Sequence, residues 1–153
     1  MLFVVFLLIG LIHGTSILNE SCEAQVSSWP DPCMGTIIIS RSCQSATFHL
    51  DITPYKSCDA VYFMWSYPIN NLTMTIETPF TQHHQAYSIL FQNLPDYDIQ
   101  KYIIVNGKET QIKSKEETIV LHSDSLYQIQ LKLQAETTIS YYGFPISYNV
   151  TKS

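Results

Sequence analysis

The sequence predicts an all-β fold, an antiparallel β-sandwich of about nine strands, on three observations. Short runs rich in β-branched and aromatic residues recur from Thr36 onward, with turn residues about every 8–12 positions. Several runs alternate apolar and polar residues, the period of a strand with one wet face. No segment of the mature chain sustains helical periodicity. Ten tyrosines with abundant Thr, Ile and Val lean the composition the same way.

Residues 1–14 read MLFVVFLLIGLIHG and are apolar from Leu2 to Ile12 apart from Gly10. A short apolar run ending near small residues is the pattern of a secretory signal peptide, with cleavage expected after Gly14 or, alternatively, after Ser16. A membrane span needs about 20 apolar residues, and no second long apolar run follows, so no membrane span is expected. The polar tail SYNVTKS argues against a lipid-anchor signal. The mature protein is expected to be soluble, secreted and extracellular. Residues 15–35 are rich in Ser, Pro and Cys and read as an irregular lead-in, and residues 36–150 as a single domain.

Within that domain, GTIIISRS (35–42) has a β-branched apolar centre. SATFHLDITP (45–54) alternates, with Phe48, Leu50 and Ile52 on one face and Thr47, His49 and Asp51 on the other. AVYFMW (60–65) is a strongly apolar strand in which Trp65 is expected to reach the core. In LTMTIET (72–78), Leu72, Met74 and Ile76 face in. AYSILFQ (86–92), IQKYIIV (99–105) and ETQIKS (109–114) follow, the last two joined by Asn106-Gly107, a two-residue hairpin turn whose positions both need positive φ. ETIVLH (117–122), LYQIQLKLQ (126–134) and FPISYNV (144–150) complete the set. In the long run, Tyr127, Ile129, Leu131 and Leu133 share the inward parity.

Four cysteines, Cys22, Cys33, Cys43 and Cys58, lack the spacing of a zinc site and fit a disulfide framework in an oxidising compartment. They allow three pairings. If strands 36–40 and 45–53 formed a hairpin, Cys33–Cys43 and Cys43–Cys58 would be too far apart, leaving Cys22–Cys43 with Cys33–Cys58. Three N-glycosylation sequons, at Asn19, Asn71 and Asn149, also suit an exported chain.

Composition excludes several functions. Charged residues are 14% of the chain, and 13 acids against 8 bases give a net charge of −5 with no run of either sign. A nucleic-acid binder would carry a basic face, so no nucleic-acid partner is expected. With 46% apolar residues the chain has the means to bury a core, which argues against disorder. No G-x-S-x-G, H-E-x-x-H, Walker or Rossmann pattern occurs. His83-His84 reads as a pair of exposed loop histidines, since neighbours in an extended chain point apart. His49, Asp51 and Asp124 could in principle meet near His122, yet nothing places a nucleophile beside them. Asp96 and Asp98 around Tyr97 read as a solvated loop. No catalytic residue, metal site or cofactor is assigned. Trp29 and Trp65 each stand near a proline, and Trp29, in the lead-in, is open to either a core or a surface role.

SDSLYQIQLKLQAETTISYYGFPISY (123–148) resembles the last two strands of CUB domains. Gly143-Phe144-Pro145-Ile146-Ser147-Tyr148 is similar to their closing Gly-Phe and Tyr pattern, which implies that Phe144 and Tyr148 are core aromatics. Cys58-Asp59-Ala60-Val61-Tyr62-Phe63 resembles the family's "C-D-x-V-x-I" segment, and Phe48 to Pro54 its "W-x-I-x-x-P" strand. The resemblance lies mainly in residues 117–150 and implies a jelly-roll-like sandwich that recognises extracellular ligands without catalysis. Only Asp59 falls where calcium-binding members carry a ligand, so no calcium site is carried over. The expectation is therefore a secreted glycoprotein that binds an extracellular protein, glycan or lipid, with host defence as a setting. The alternative is a carrier holding a lipid or odorant between the sheets. A hydrolytic enzyme is the least favoured reading.

Overall fold

A computed structural model describes residues 22–51 and 54–152. The expected signal peptide, its cleavage site, Asn19 and Ile52 lie outside the described residues. The described chain is all-β, two six-stranded sheets packed face to face. The strands are β1 (Cys22–Glu23), β2 (Gln25–Ser28), β3 (Met34–Ile38), β4 (Ser45–His49), β5 (Ala60–Ser66) and β6 (Asn71–Ile76). They continue as β7 (Tyr87–Gln92), β8 (Gln100–Val105), β9 (Lys108–Gln111), β10 (Thr118–His122), β11 (Ile129–Gln134) and β12 (Gly143–Lys152). Sheet I runs β1-β4-β6-β11-β8-β9 and sheet II runs β10-β7-β12-β5-β3-β2. A four-residue helix α1 (Pro79–Gln82), opened by Thr78 in a capping box with Thr81, and a 3-10 turn at Tyr55–Ser57 are the only helical pieces among the described residues.

The structure departs from the expectation in two ways. Twelve strands replace about nine, partly because the lead-in contributes β1 and β2, which add to the edges of the two sheets. The sheets are also mixed: β1–β4, β4–β6 and β3–β5 are parallel, and the other pairs antiparallel. The chain crosses the sandwich after most strands, so sheet neighbours are often next-but-one in sequence and run the same way. Strands β3 and β4 consequently lie in different sheets, and the hairpin assumed for the cysteine geometry does not exist. The disulfides nonetheless join Cys22 to Cys43 and Cys33 to Cys58. Cys22 opens β1 and bonds to Cys43 in the loop before β4, and Cys33, in the turn before β3, bonds to Cys58 in the loop before β5.

The inward parities fill the space between the sheets. Leu72, Met74, Ile76, Leu131 and Leu133 from sheet I are fully buried against Phe63, Trp65, Ile89, Phe91, Phe144 and Ile146 from sheet II. Burying side chains of this size stabilises by roughly 1.5–3 kcal/mol each. Phe48, Tyr55 and Phe63 meet edge-to-face at one end of this core. Tyr148 is buried as well. Tyr127 departs from its expected parity: φ is +57° and it closes the Asp124–Tyr127 turn, so β11 starts only at Ile129. The Asn106-Gly107 turn forms as read, with φ of +51° and +75° and Val105 facing Lys108. Pro145 fits inside β12 because there the strand pairs with β5 alone; β7 joins only from Tyr148.

Candidate functional site

The outer face of sheet II carries a groove of about 530 Å3 that is open to solvent. Its floor follows from the alternation that builds the core. Where Phe144, Ile146 and Tyr148 of β12 point in, Ser147 and Asn149 point out. Tyr62 of β5, Leu90 and Gln92 of β7 and Thr118 of β10 are the outward partners of Val61 and Phe63, Phe91, and Ile119. Register then lines them up across the strands. Thr118 faces Gln92, Ser147 faces Tyr62, and Tyr62 faces Met34; in the next row Leu90 and Ala60 flank Asn149.

The lining pairs an aromatic surface with polar side chains. The Trp29 ring lies 5.9 Å from that of Tyr62, and its indole N–H donates to the Thr36 hydroxyl at 2.9 Å. Ser147 Oγ donates to Gln92 Oε1 at 2.6 Å, leaving the Gln92 amide nitrogen for a ligand. Asp31 at one end accepts from the Cys33 backbone N–H at 2.8 Å, and its second oxygen adds acceptor capacity. Glu117 stands at the other end, on the β10 side. Hydroxyl, amide and carboxylate groups around a phenol face suit a ligand with hydroxyls on its edge and C–H groups on its face, as a saccharide has.

The other residues singled out from sequence do not gather. His83 and His84 are exposed at the end of α1, with the His84 ring against that of Tyr127. His49 and Asp51 share a hollow of about 260 Å3 with Glu23 on the edge of sheet I. His122 is in sheet II, so the four residues His49, Asp51, His122 and Asp124 do not form one cluster. Sequence reasoning missed the neighbour of His122: Ser88 Oγ lies 2.7 Å from its Nδ1. Ser88 is only 5% exposed, which leaves little room for a substrate at that oxygen. Asp124 caps its own turn through the Leu126 and Gln128 N–H groups. The Asp98 backbone N–H donates to the Tyr141 hydroxyl, while the Tyr97 ring packs on Tyr141 and Phe144. Asp59 is exposed, and its carbonyl accepts from the Val150 N–H. Among the described residues no three His, Cys, Asp or Glu side chains converge as a metal site.

Trp65 is fully buried, and its Nε1 has no hydrogen-bond partner. Trp29 is 38% exposed, which settles it on the surface. Of the sequons, Asn149 is exposed on the groove floor. Asn71 begins β6 with Nδ2 donating to the Gln44 carbonyl at 3.2 Å. Tyr62, Gln92 and Ser147 went unread in the sequence. Their parity, opposite the core residues, was the available signal; that their strands lie side by side was not.

Two disulfides are present, and no described helix is long and apolar enough to cross a membrane. No protein-family model matches this chain, and a search of curated proteins finds no match.

Proposed function

We propose that this chain is a secreted, N-glycosylated, non-catalytic binding module, similar to CUB domains, that takes a saccharide on the outer groove of sheet II. The observation that carries the reading is the row Tyr62, Ser147, Gln92 across three adjacent strands, with Trp29 behind it. An aromatic face flanked by amide and hydroxyl groups on a rigid sheet is pre-organised for such a ligand. Export is supported by the two disulfides, the apolar leader and the sequons. The host-defence setting rests on the CUB resemblance. A carrier of apolar ligands would need open space between the sheets, where Trp65, Phe63, Phe91 and Phe144 are packed with zero exposure.

The test is a glycan array probed with the folded protein carrying Asn149→Gln, beside the same protein with Tyr62→Ala added. Tyr62 points outward, so its loss is expected to leave the fold intact, checked by circular dichroism. Binding to a defined set of saccharides that weakens about tenfold or more on Tyr62→Ala supports the reading. Binding that survives Tyr62→Ala, or no binding at all, overturns it.

A further inference from the structure

A third concavity, of about 470 Å3, lies where β8 and its preceding loop meet the segment that leads from β9 to β10. Lys101, Lys113 and Lys115 line it, against Asp98 as the one acidic side chain on its wall. In a chain with 13 acids and 8 bases, three of the bases therefore share one hollow. Lys101 is the unusual member. Alternation along β8 puts it on the inner face with Ile103, its Cα paired with that of the buried Leu133.

Lys101 is 6% exposed, and its ammonium donates to the Leu94 and Ile99 carbonyls at 3.2 Å each. The Phe144 ring lies 5.8 Å away. Two ion pairs occur among the described residues, Lys56–Glu77 and Lys132–Glu109, and neither involves Lys101. A buried cation normally has a counter-charge, because desolvation costs several kcal/mol per ion. Here carbonyl dipoles and a ring face supply part of it, and burial holds the Lys101 pKa below its ordinary value. The hollow itself is built to keep its shape. Asn93, 3% exposed, donates from Nδ2 to the carbonyls of Ser114 and Glu116, and the Ile112 N–H donates to the Lys101 carbonyl.

We infer that this hollow is a binding site for a tetrahedral oxyanion, a sulfate or phosphate group, held by Lys113 and Lys115 at its mouth over the buried charge of Lys101. The volume exceeds what a bare ion fills, so the anion is expected as an ester on a larger body such as a saccharide. This inference does not depend on the groove of sheet II. Carbonyls hold the Lys101 amine in the wall, Lys113 and Lys115 are exposed at the mouth, and charge-assisted hydrogen bonds from amines to an oxyanion would be short and strong.

The test is a two-dimensional 15N NMR titration at constant ionic strength, using inorganic sulfate, inorganic phosphate, a sulfated disaccharide and its unsulfated parent, with chloride as reference. Saturable shifts confined to residues 98–101 and 111–115 are expected for the anions and not for the parent sugar. The Lys113→Gln/Lys115→Gln variant, altered only at exposed positions, is expected to weaken binding at least about tenfold. Lys101→Met, which keeps the aliphatic stem, should weaken it too, and matching spectra of the free variant establish that it folds. Tighter binding of the sulfated disaccharide than of inorganic sulfate would identify an ester as the ligand; equal binding would identify the free ion, and both support the site. Shifts that grow linearly, match those with chloride, or persist unchanged in the double variant overturn it, as does equal binding of the unsulfated parent.

Discussion

The phenol of Tyr87, the first residue of β7 in sheet II, donates a 2.8 Å hydrogen bond to the carbonyl of Ile76, the last residue of β6 in sheet I. Both residues are fully buried. The bond therefore pins the point at which the chain crosses between the sheets, beside the capped turn of α1. Tyr87→Phe keeps the ring and removes the donor. A loss of about 1–3 kcal/mol is expected, read as a lower urea midpoint with an unchanged slope.

Alkaline pH acts on the same residue. Burial pushes the Tyr87 and Tyr148 hydroxyls well above their ordinary value of 10.0. The folded chain then keeps protons that the unfolded chain gives up, so this stability is whole below about pH 10 and is lost as pH rises beyond it. Lys101 has the opposite sign. Its lowered pKa means that the folded chain releases its proton first, so stability gains as pH climbs toward 10.5. Two tyrosines outweigh one lysine above pH 10. The urea midpoint is expected to fall there, and less steeply in Tyr148→Phe.

Gly35 sits in β3 with no room for a side chain. A Cβ there would lie 2.7 Å from Tyr55 Oη and 3.0 Å from the Ser27 carbonyl oxygen, and the second of these is backbone. Gly35→Ala is expected to cost about 1–3 kcal/mol and to break the 2.9 Å hydrogen bond between Ser28 and Tyr55. Gly143→Ala presses instead on the end of the flexible Met64 side chain, at 2.6 Å from sulfur, and should cost less. Thermal melts of the two variants side by side check the order.

The disulfides differ in what they hold. Removing one is expected to cost about 2–4 kcal/mol. Cys22–Cys43 tethers β1, a two-residue edge strand, so Cys22→Ala/Cys43→Ala should raise hydrogen exchange mainly along β4. Cys33–Cys58 ties the turn before β3 to the loop before β5, inside the row of sheet II. Cys33→Ala/Cys58→Ala is expected to lower the global melting temperature more and to loosen the groove.

Of the two sequons among the described residues, Asn71 lies in β6 of sheet I and Asn149 in β12 of sheet II, each at a position opposite in parity to the buried apolar residues of its strand. A glycan on Asn149 would rise from the groove floor, so Asn149→Gln protein from glycosylating cells is expected to bind more saccharide than the unaltered product. Asn71→Gln should shorten the secreted product by one glycan without changing that binding. An unshifted electrophoretic band for Asn71→Gln would mean that this sequon is unused.

Only local features were legible along the chain. Alternation in Leu72-Thr73-Met74-Thr75-Ile76 and Ile129 to Leu133 set the inward faces, because a strand's side chains alternate whatever it pairs with. Asn106-Gly107 set a hairpin, because few other residues accept positive φ twice. Tertiary structure alone decided which strands are neighbours. Parallel β3–β5 and β4–β6 pairing, the rows that bring Tyr62, Ser147 and Gln92 together, and the crossing that separates β3 from β4 all depend on contacts distant in the chain. The cysteine pairs show how the two levels differ: the observed partners are those an assumed local hairpin would leave, while the cysteines meet because β1 pairs with β4 and β3 with β5. Lys101 shows it again. Its place between Ile99 and Ile103 marks the apolar face of β8, but only the packing of Phe144 and the Leu94 and Ile99 carbonyls around its amine accounts for a charge held there.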